Sequence, residues 1–162
     1  MLILIYEEVR RYSIFLGRRR SYRELVKPSK AGPAFAFVGI DATLTPSPKR
    51  PFNFFGALSD HDMDEIHWML EDSSKPENSM GGLITFGHYP LSTVLTPGND
   101  DLSALIGKVG AAAYLSGHLH NLIGLAPEMY TKQADGYLEL ELADWKDNRK
   151  YRVAALDRGK MR

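Results

Sequence analysis

The sequence predicts a single domain of the mixed α/β class. Three short apolar runs have the length and composition of buried strands, and they span residues 34–40, 80–86 and 112–115. Between the first two, residues 59–72 show the three-to-four-residue apolar spacing of an amphipathic helix. A chain of 162 residues with 44% hydrophobic and 25% charged residues has the composition of a globular protein. A disordered or fibrous chain is therefore excluded.

Several classes of protein and site are excluded by residues that the sequence lacks. There are no cysteines, which removes disulfides, thiolate metal sites and cysteine nucleophiles. The apolar run at residues 1–6 is far shorter than the roughly 20 residues needed to span a bilayer. It also lacks the basic region and the small-residue cleavage site of a secretory signal. We therefore expect neither a signal peptide nor a transmembrane segment in this chain.

Charge is distributed unevenly although the net charge is zero. Residues 1–30 carry eight Lys and Arg and three Glu, which makes this segment +5 and the remainder −5. The basic leader could contact a phosphate-rich partner, or it could be a solvated arm or pack on the acidic body of the same chain. Because no aromatic stacking platform accompanies it, we expect no nucleic-acid partner. We place a poorly defined basic leader at residues 1–33 and the globular part at residues 34–158.

A long loop follows the first predicted strand. Asp41 ends the apolar run, and residues 41–52 include three prolines, which are incompatible with regular structure. We expect Phe52, Phe54 and Phe55 to pin this loop to the body, because exposed aromatic residues at such density are unusual. Asp41 itself could be functional or could hydrogen-bond to the loop, and we favour the loop.

The helix predicted at residues 59–72 has a clear start. Ser59 is a suitable N-cap, and Asp62 lies three residues later, in the position of a capping box. The apolar residues that we expect to face the core are Met63, Ile66, Met69 and Leu70. His61 and His67 fall outside this stripe, with His61 in an early turn of the helix and His67 expected at the surface or its boundary, and we expect neither to be a metal ligand.

The second half of the chain continues the alternation of helix and strand. A short helix is predicted at residues 102–109, directly before the strand at residues 112–115. At residues 137–142, leucines alternate with Tyr and Glu with the period of two that is typical of a half-buried strand. A turn then leads to a second strand at residues 151–156, so the sequence predicts a C-terminal β-hairpin.

Three of the five histidines lie where predicted strands end. His88 follows Gly87 after the second strand, and His118 and His120 follow the third. Residues i and i+2 share a face in an extended chain but not on a helix, so His118 and His120 can converge on one site there. Imidazole nitrogens at strand ends are suitable ligands for zinc, manganese or iron. Alternatively, each histidine is a polar residue bonded to nearby backbone, and the spacing leaves both possibilities open.

The order of four motifs resembles that of the calcineurin-like metallophosphoesterases. In chain order the motifs are FVGIDATL at residues 37–44, GALSD at 56–60, ITFGHYP at 84–90 and YLSGHLH at 114–120. A finer resemblance is to the transmembrane protein 62 branch of that family. It rests on the proline-rich block at residues 40–56 and on LELELADWKDNRKYR at residues 138–152. The resemblance covers roughly residues 35–157.

The resemblance implies a fold and a chemistry. The fold would be two stacked mixed sheets flanked by helices, and this chain would supply the C-terminal half of that sandwich. The site would hold two divalent metal ions, manganese, iron or zinc, that activate a bridging water against a phosphate ester. Carried over from the family's motifs, His88 and His118 would ligate one metal and His120 the other.

The sequence departs from the family pattern in the earlier motifs. The D-x-H, G-D-x-x-D and G-N-H-D/E motifs supply the bridging carboxylate, an asparagine ligand and the general-acid histidine, and residues 1–162 contain none of them. We therefore expect this chain by itself to be inactive or nearly so, as part of a membrane-associated phosphoesterase whose membrane spans lie outside it. Alternatively, it is a non-catalytic binding module on a phosphoesterase fold, with the loop aromatic residues as its contact surface.

Overall fold

The computed structural model describes residues 20–27, 32–44, 54–98, 101–118, 130–142, 156–157 and 160–161. The strands are β1 (Tyr22–Val26), β2 (Phe35–Ile40), β3 (Gly56–Ala57), β4 (Gly82–Gly87), β5 (Val94–Leu95), β6 (Ala113–Ser116), β7 (Tyr130–Lys132), β8 (Leu138–Glu141), β9 (Leu156–Asp157) and β10 (Lys160–Met161). The helices are α1 (Asp60–Ser74), the single turn α2 (Pro76–Ser79) and α3 (Leu102–Lys108), and a 3₁₀ turn covers Leu91–Thr93. The predicted mixed α/β class is confirmed.

Six of the strands form one mixed sheet, in the order β1-β2-β4-β6-β8-β7. The four central strands are parallel, and the outer strands β1 and β7 are antiparallel to their neighbours. The carboxyl ends of the central strands therefore meet at one edge of the sheet, which we call the carboxyl edge. Ligands of α/β proteins usually bind at such an edge.

One face of the sheet packs against helices α1 and α3. The stripe predicted for α1 is buried: Met63, Ile66, Met69 and Leu70. The same core cluster includes, from β2 and α3, Ala36, Val38, Ile40, Leu102, Leu105 and Ile106. A helix as short as α3 is unstable in isolation, so its formation depends on this burial.

The predicted elements occur close to their expected positions. The three apolar runs are β2, β4 and β6, and the short helix predicted before β6 is α3. The predicted capping box of α1 is present: Asp62 N donates to Ser59 Oγ at 3.2 Å, and Ser59 N donates to the Asp62 carboxylate at 2.9 Å. The local sequence therefore specifies both the start and the buried face of α1.

Strand β1 lies in the leader, where the sequence analysis assigned no element. It pairs antiparallel with β2, and the Tyr22 ring lies so close to Gly39 that a Cβ atom there would be 2.5 Å from it. The five residues of β1, YRELV, show no alternation of buried and exposed positions that would identify a strand. The pairing with β2 determines its conformation.

Two basic residues of the leader bind acidic residues of the body. The Arg20 guanidinium lies 3.8 Å from the Asp62 carboxylate. Arg23 forms an ion pair with Asp72 of α1, and its guanidinium lies 5.6 Å from the centre of the Trp68 ring, within the range of a cation–π interaction. At these two positions the leader packs on the acidic body.

The predicted pairing of the C-terminal hairpin is wrong. Strand β8 forms as predicted within residues 137–142, but its two edges pair with β6 and β7. Both edges of β8 are therefore taken by strands other than the predicted one, and residues 151–155 of the predicted second strand lie outside the described residues. The described end of the chain contains a different antiparallel pair, β9 with β10.

The aromatic residues of the proline-rich loop do not pack as predicted. Phe54 and Phe55 are 41% and 50% exposed, and Phe52 lies outside the described residues. The end of the loop is held by backbone instead: β3 pairs with β5, and Ala57 N donates to Ala42 O at 2.8 Å. These hydrogen bonds fix the chain without burying the two rings.

Removing the cap of α1 should destabilise the fold. Ser59→Ala deletes the acceptor of the Asp62 N–H, and we expect it to lower the free energy of unfolding by about 1 kcal/mol in urea denaturation. The control is Ser92→Ala, at an exposed serine outside α1, which should change it by less than about 0.5 kcal/mol. Equal losses in the two variants would contradict the capping role.

The capping carboxylate should make stability depend on pH. Partial burial tends to raise the pKa of Asp62, but the hydrogen bonds from Ser59 and the charge of Arg20 outweigh it and lower the pKa below 3.8. Because the folded pKa is the lower one, this stabilisation is complete above pH 3.8 and is lost as the pH falls through the folded value. Asp62→Asn should therefore be less stable than wild type at pH 7, and the gap should close in acid. If the difference in the free energy of unfolding between wild type and Asp62→Asn stayed the same from pH 7 into acid, the lowered pKa of Asp62 would be contradicted.

Candidate functional site

His88 and His118 lie side by side at the carboxyl edge. Strand β4 ends at Gly87 and its parallel neighbour β6 ends at Ser116, so the residues that follow emerge together. The pairing extends one bond further, since Gly117 N donates to His88 O at 3.2 Å. The structure therefore brings together the two Gly-His motifs that the sequence singled out.

The two imidazole rings make a direct contact. His88 Nε2 and His118 Nδ1 are 2.9 Å apart, which is a hydrogen-bond distance. The ring centres are 4.7 Å apart and the ring planes meet at 71°. His118 is buried, with 9% of its surface exposed, whereas His88 is exposed. The histidine pair thus has one ring inside the protein and one at its surface.

The histidine pair places two potential ligands of one cation next to each other. A zinc-bound histidine nitrogen lies about 2.1 Å from the metal, so two such ligands at the tetrahedral angle are about 3.4 Å apart. His88 Nε2 and His118 Nδ1 are 2.9 Å apart, so the rings need to separate by only about 0.5 Å to share a cation. A cation held by both nitrogens would require both of them to be unprotonated, because metal ligands must be deprotonated.

The third predicted ligand, His120, lies outside the described residues. Across the described ranges of the chain, no group of three or more histidine, aspartate or glutamate side chains could hold a metal ion. His61 and His67 are on the exposed face of α1, where His67 Nε2 lies 3.4 Å from Glu71. The described residues therefore bring together two of the three predicted ligands.

Asp41 also lies at the carboxyl edge, directly after β2, but it bonds to its own loop. Its carboxylate accepts hydrogen bonds from Thr43 N at 2.8 Å and from the Thr43 hydroxyl, and it lies 3.7 Å from Arg20. The Asp41 N–H donates to Ser21 Oγ at 3.2 Å. A carboxylate that bonds to the backbone two residues later is typical of a turn. Asp41 thus has the loop role that the sequence analysis favoured.

Tyr89 forms the inner wall of the histidine pair. The residue is buried, and the centre of its ring is 4.5 Å from that of His118 and 5.0 Å from that of His88. The Tyr89 carbonyl accepts a hydrogen bond of 2.7 Å from the Tyr114 hydroxyl. Burial, and then the nearby charge of Glu139, raises the pKa of Tyr114. That hydroxyl therefore stays protonated and remains a donor.

The path of the Tyr114 side chain crosses Gly87. A Cβ atom at Gly87 would overlap the Tyr114 hydroxyl and would lie 2.9 Å from Ile40 O. The absence of a side chain at this position therefore lets Tyr114 reach the Tyr89 carbonyl.

Glu139 of β8 reaches the same segment from the neighbouring strand. One of its oxygens accepts a hydrogen bond of 2.8 Å from Leu91 N, at the start of the 3₁₀ turn, and the other accepts one from Gln133. The sequence analysis gave Glu139 and Tyr114 no role at the site. For Tyr89 the sequence did offer a signal, because this residue is the tyrosine of the G-H-Y-P motif at residues 87–90.

Comparison with known proteins finds relatives of this chain. No protein-family profile matches it. Transmembrane protein 62 of Mus musculus is 45% identical over 123 residues, which cover 76% of this chain and 18% of that protein. About three quarters of this chain is therefore similar to a part of transmembrane protein 62. The predicted resemblance is thereby confirmed.

A second relative carries the name of a metallophosphoesterase. An Arabidopsis thaliana protein named "Putative metallophosphoesterase" is 28% identical over 156 residues, covering 76% of this chain and 21% of its own length. The chain thus spans about a fifth of the length of these two homologues. Among solved structures, "GAP50 the anchor in the inner membrane complex of Plasmodium" aligns with a TM-score of 0.47 and 16% identity, over 76% of this chain and 36% of that one.

The helices can also be judged against the thickness of a bilayer. Among the described residues, none of them is long and apolar enough to span a membrane.

Adding a methyl group at Gly87 should disrupt the end of β4. Gly87→Ala places a Cβ atom against the Tyr114 hydroxyl, and we expect it to lower the free energy of unfolding by about 1–3 kcal/mol in urea denaturation. Gly117→Ala is the matched control, because a Cβ atom there would be 3.5 Å from Leu142 O, an ordinary contact. It should change the free energy of unfolding by less than about 0.5 kcal/mol. If both variants were equally stable, the close approach at Gly87 would be contradicted.

Proposed function

We propose that residues 34–158 form the C-terminal part of a calcineurin-like metallophosphoesterase domain, in a protein that hydrolyses phosphate esters. The observation that carries this proposal is the 2.9 Å separation of His88 Nε2 and His118 Nδ1 at the ends of adjacent parallel strands. Homology to transmembrane protein 62 and to a relative named as a metallophosphoesterase supports it. The proposed fold is half of a two-sheet sandwich.

In this proposal His88 and His118 hold one divalent metal ion, and His120 holds a second. Imidazole binds zinc, manganese and iron, and these are the metals that we propose. When bound, such ions lower the pKa of a bridging water and polarise the phosphoryl group. The proposed substrate is accordingly a phosphate ester, and no nucleic-acid partner is proposed.

The protein's own residues orient the two imidazoles and limit the access of water. The buried ring of Tyr89 covers the inner side of His118. The environment of His118 therefore screens charges weakly, which would strengthen its interaction with a bound cation. His88 is exposed and closes the pair on the solvent side. A phosphate ester would therefore approach past His88.

Residues 1–162 by themselves are proposed to be inactive or nearly so. The bridging carboxylate, the asparagine ligand and the general-acid histidine of the family motifs have no counterpart in this sequence. With imidazole ligands alone, the site would lack most of the interactions that stabilise a phosphoryl-transfer transition state. Other parts of the protein would supply these groups. Those other parts would also supply an association with a membrane, which the name transmembrane protein 62 indicates for that relative.

A second candidate is a non-catalytic binding module on the same fold. It is favoured by Phe54, Phe55 and Leu95, which are 41%, 50% and 59% exposed. Because Phe54 and Phe55 directly precede β3, and Leu95 belongs to its partner β5, the three residues border one strand pair. Partner binding through this surface would survive replacement of His88 and His118, whereas a metal-dependent function would not.

Metal stoichiometry tests the proposed function. After equilibration with Mn²⁺ or Zn²⁺, we expect the purified chain to retain at most one weakly held ion, measured by plasma mass spectrometry. The double variant His118→Ala, His120→Ala should retain none, because its remaining imidazole cannot hold the ion alone. The control is His67→Ala, at an exposed histidine of α1, which should bind as the wild type does. If the wild-type chain instead held two ions tightly and the double variant lost them, other residues of the chain would have to complete the site. That result would contradict the proposal that residues 1–162 lack the remaining ligands.

A further inference from the structure

We infer that Tyr114 and Glu139 are positioning residues, which hold the segment after His88 so that its imidazole stays within ligand-sharing distance of His118. The inference rests on the proposed function of the histidine pair as metal ligands. Both residues act through the backbone of residues 89–91.

The two side chains start from neighbouring points of the sheet and reach the same segment. Tyr114 of β6 and Glu139 of β8 are register partners. The Tyr114 hydroxyl donates to Tyr89 O at 2.7 Å, and the Glu139 carboxylate accepts from Leu91 N at 2.8 Å. The backbone on either side of Pro90 is thus bound to the sheet, once through an acceptor and once through a donor.

These side-chain bonds are needed because regular pairing ends at His88. Its carbonyl accepts the last ladder bond, from Gly117 N. Pro90 has no N–H that could extend the ladder, and the 3₁₀ turn begins at Leu91. Segments with few backbone bonds open most easily. Tyr114 and Glu139 supply the missing attachment between the strand end and the turn.

The ring of Tyr89 links this attachment to the histidine pair. Its carbonyl is held by Tyr114, and its ring packs against both His88 and His118. Release of the carbonyl would let the ring and the adjacent His88 move relative to His118. Metal–nitrogen distances in working sites stay within about 0.2 Å of their ideal values, so a small movement is sufficient to weaken shared binding.

The carboxylate of Glu139 is itself oriented for this role. Gln133 donates a hydrogen bond to one oxygen, which leaves the other directed at Leu91 N. A glutamine at position 139 would keep an acceptor for Leu91 N, whereas a leucine would not. This difference separates the hydrogen bond from the mere size of the side chain.

The test compares two buried tyrosines that each lose a hydroxyl. In the 162-residue chain, Tyr114→Phe removes the bond to Tyr89 O, and Tyr137→Phe removes a 2.7 Å bond to Ser103 of α3. The second variant is the matched control, because it leaves both bonds to the His88 segment in place. We expect both variants to lower the thermal unfolding midpoint measured by circular dichroism. That loss alone would show only a structural role.

Zinc affinity distinguishes positioning from stability. Measured by competition with a chromogenic chelator, the Zn²⁺ affinity of Tyr114→Phe should fall about three- to tenfold, the factor expected for one lost hydrogen bond. The affinity of Tyr137→Phe should stay within about twofold of wild type. Glu139→Leu should weaken binding to a similar extent as Tyr114→Phe, and Glu139→Gln should restore most of it. If Tyr114→Phe fails to fold, the two Glu139 variants provide the same comparison.

A second measurement needs no metal. In the metal-free protein, nuclear Overhauser cross-peaks between the ring protons of His88 and His118 should appear in wild type and in Tyr137→Phe. They should be weakened or lost in Tyr114→Phe. Unchanged cross-peaks together with unchanged Zn²⁺ affinity in Tyr114→Phe would overturn the positioning role. Failure of the proposed function has a different result, namely equal Zn²⁺ binding by wild type and His88→Ala, and the cross-peaks then decide the positioning role alone.

Discussion

The contact between the Tyr114 hydroxyl and the Tyr89 carbonyl is the interaction on which the candidate site depends. It can form only because residue 87 is glycine, since a Cβ atom there would overlap that hydroxyl. The glycine before the histidine is therefore a packing requirement. A side chain at that point would separate the two strand ends before any ligand chemistry is considered.

Much of the fold could be predicted because the patterns that specify it are local. Strands β2, β4 and β6 are compact apolar runs, and α1 carries both its stripe and its capping box within its own residues. Strands β1 and β7 were not assigned, because short outer strands depend on pairing with a neighbour more than on their own composition. The hairpin prediction failed for the same reason. Alternation at residues 137–142 identifies a strand but does not identify its partners.

The candidate site was predictable as far as it consists of motif residues. Two Gly-His motifs at strand ends located His88 and His118, because the carboxyl ends of parallel strands meet. Glu139 was missed because an alternating glutamate on a strand usually faces solvent, whereas here it faces the turn after β4. Tyr114 was missed because nothing in an apolar strand indicates that one polar atom reaches a neighbouring loop. The residues that arrange the site thus lie outside its motifs.

Arg23 links strand β1 to helix α1, because its guanidinium faces the Trp68 ring and also binds the Asp72 carboxylate. A planar cation can stack on a ring and bind a carboxylate at the same time, whereas a lysine ammonium is a compact point charge that does not do both. Exchange of arginine for lysine at position 23 should therefore be poorly tolerated during evolution, although it keeps the charge.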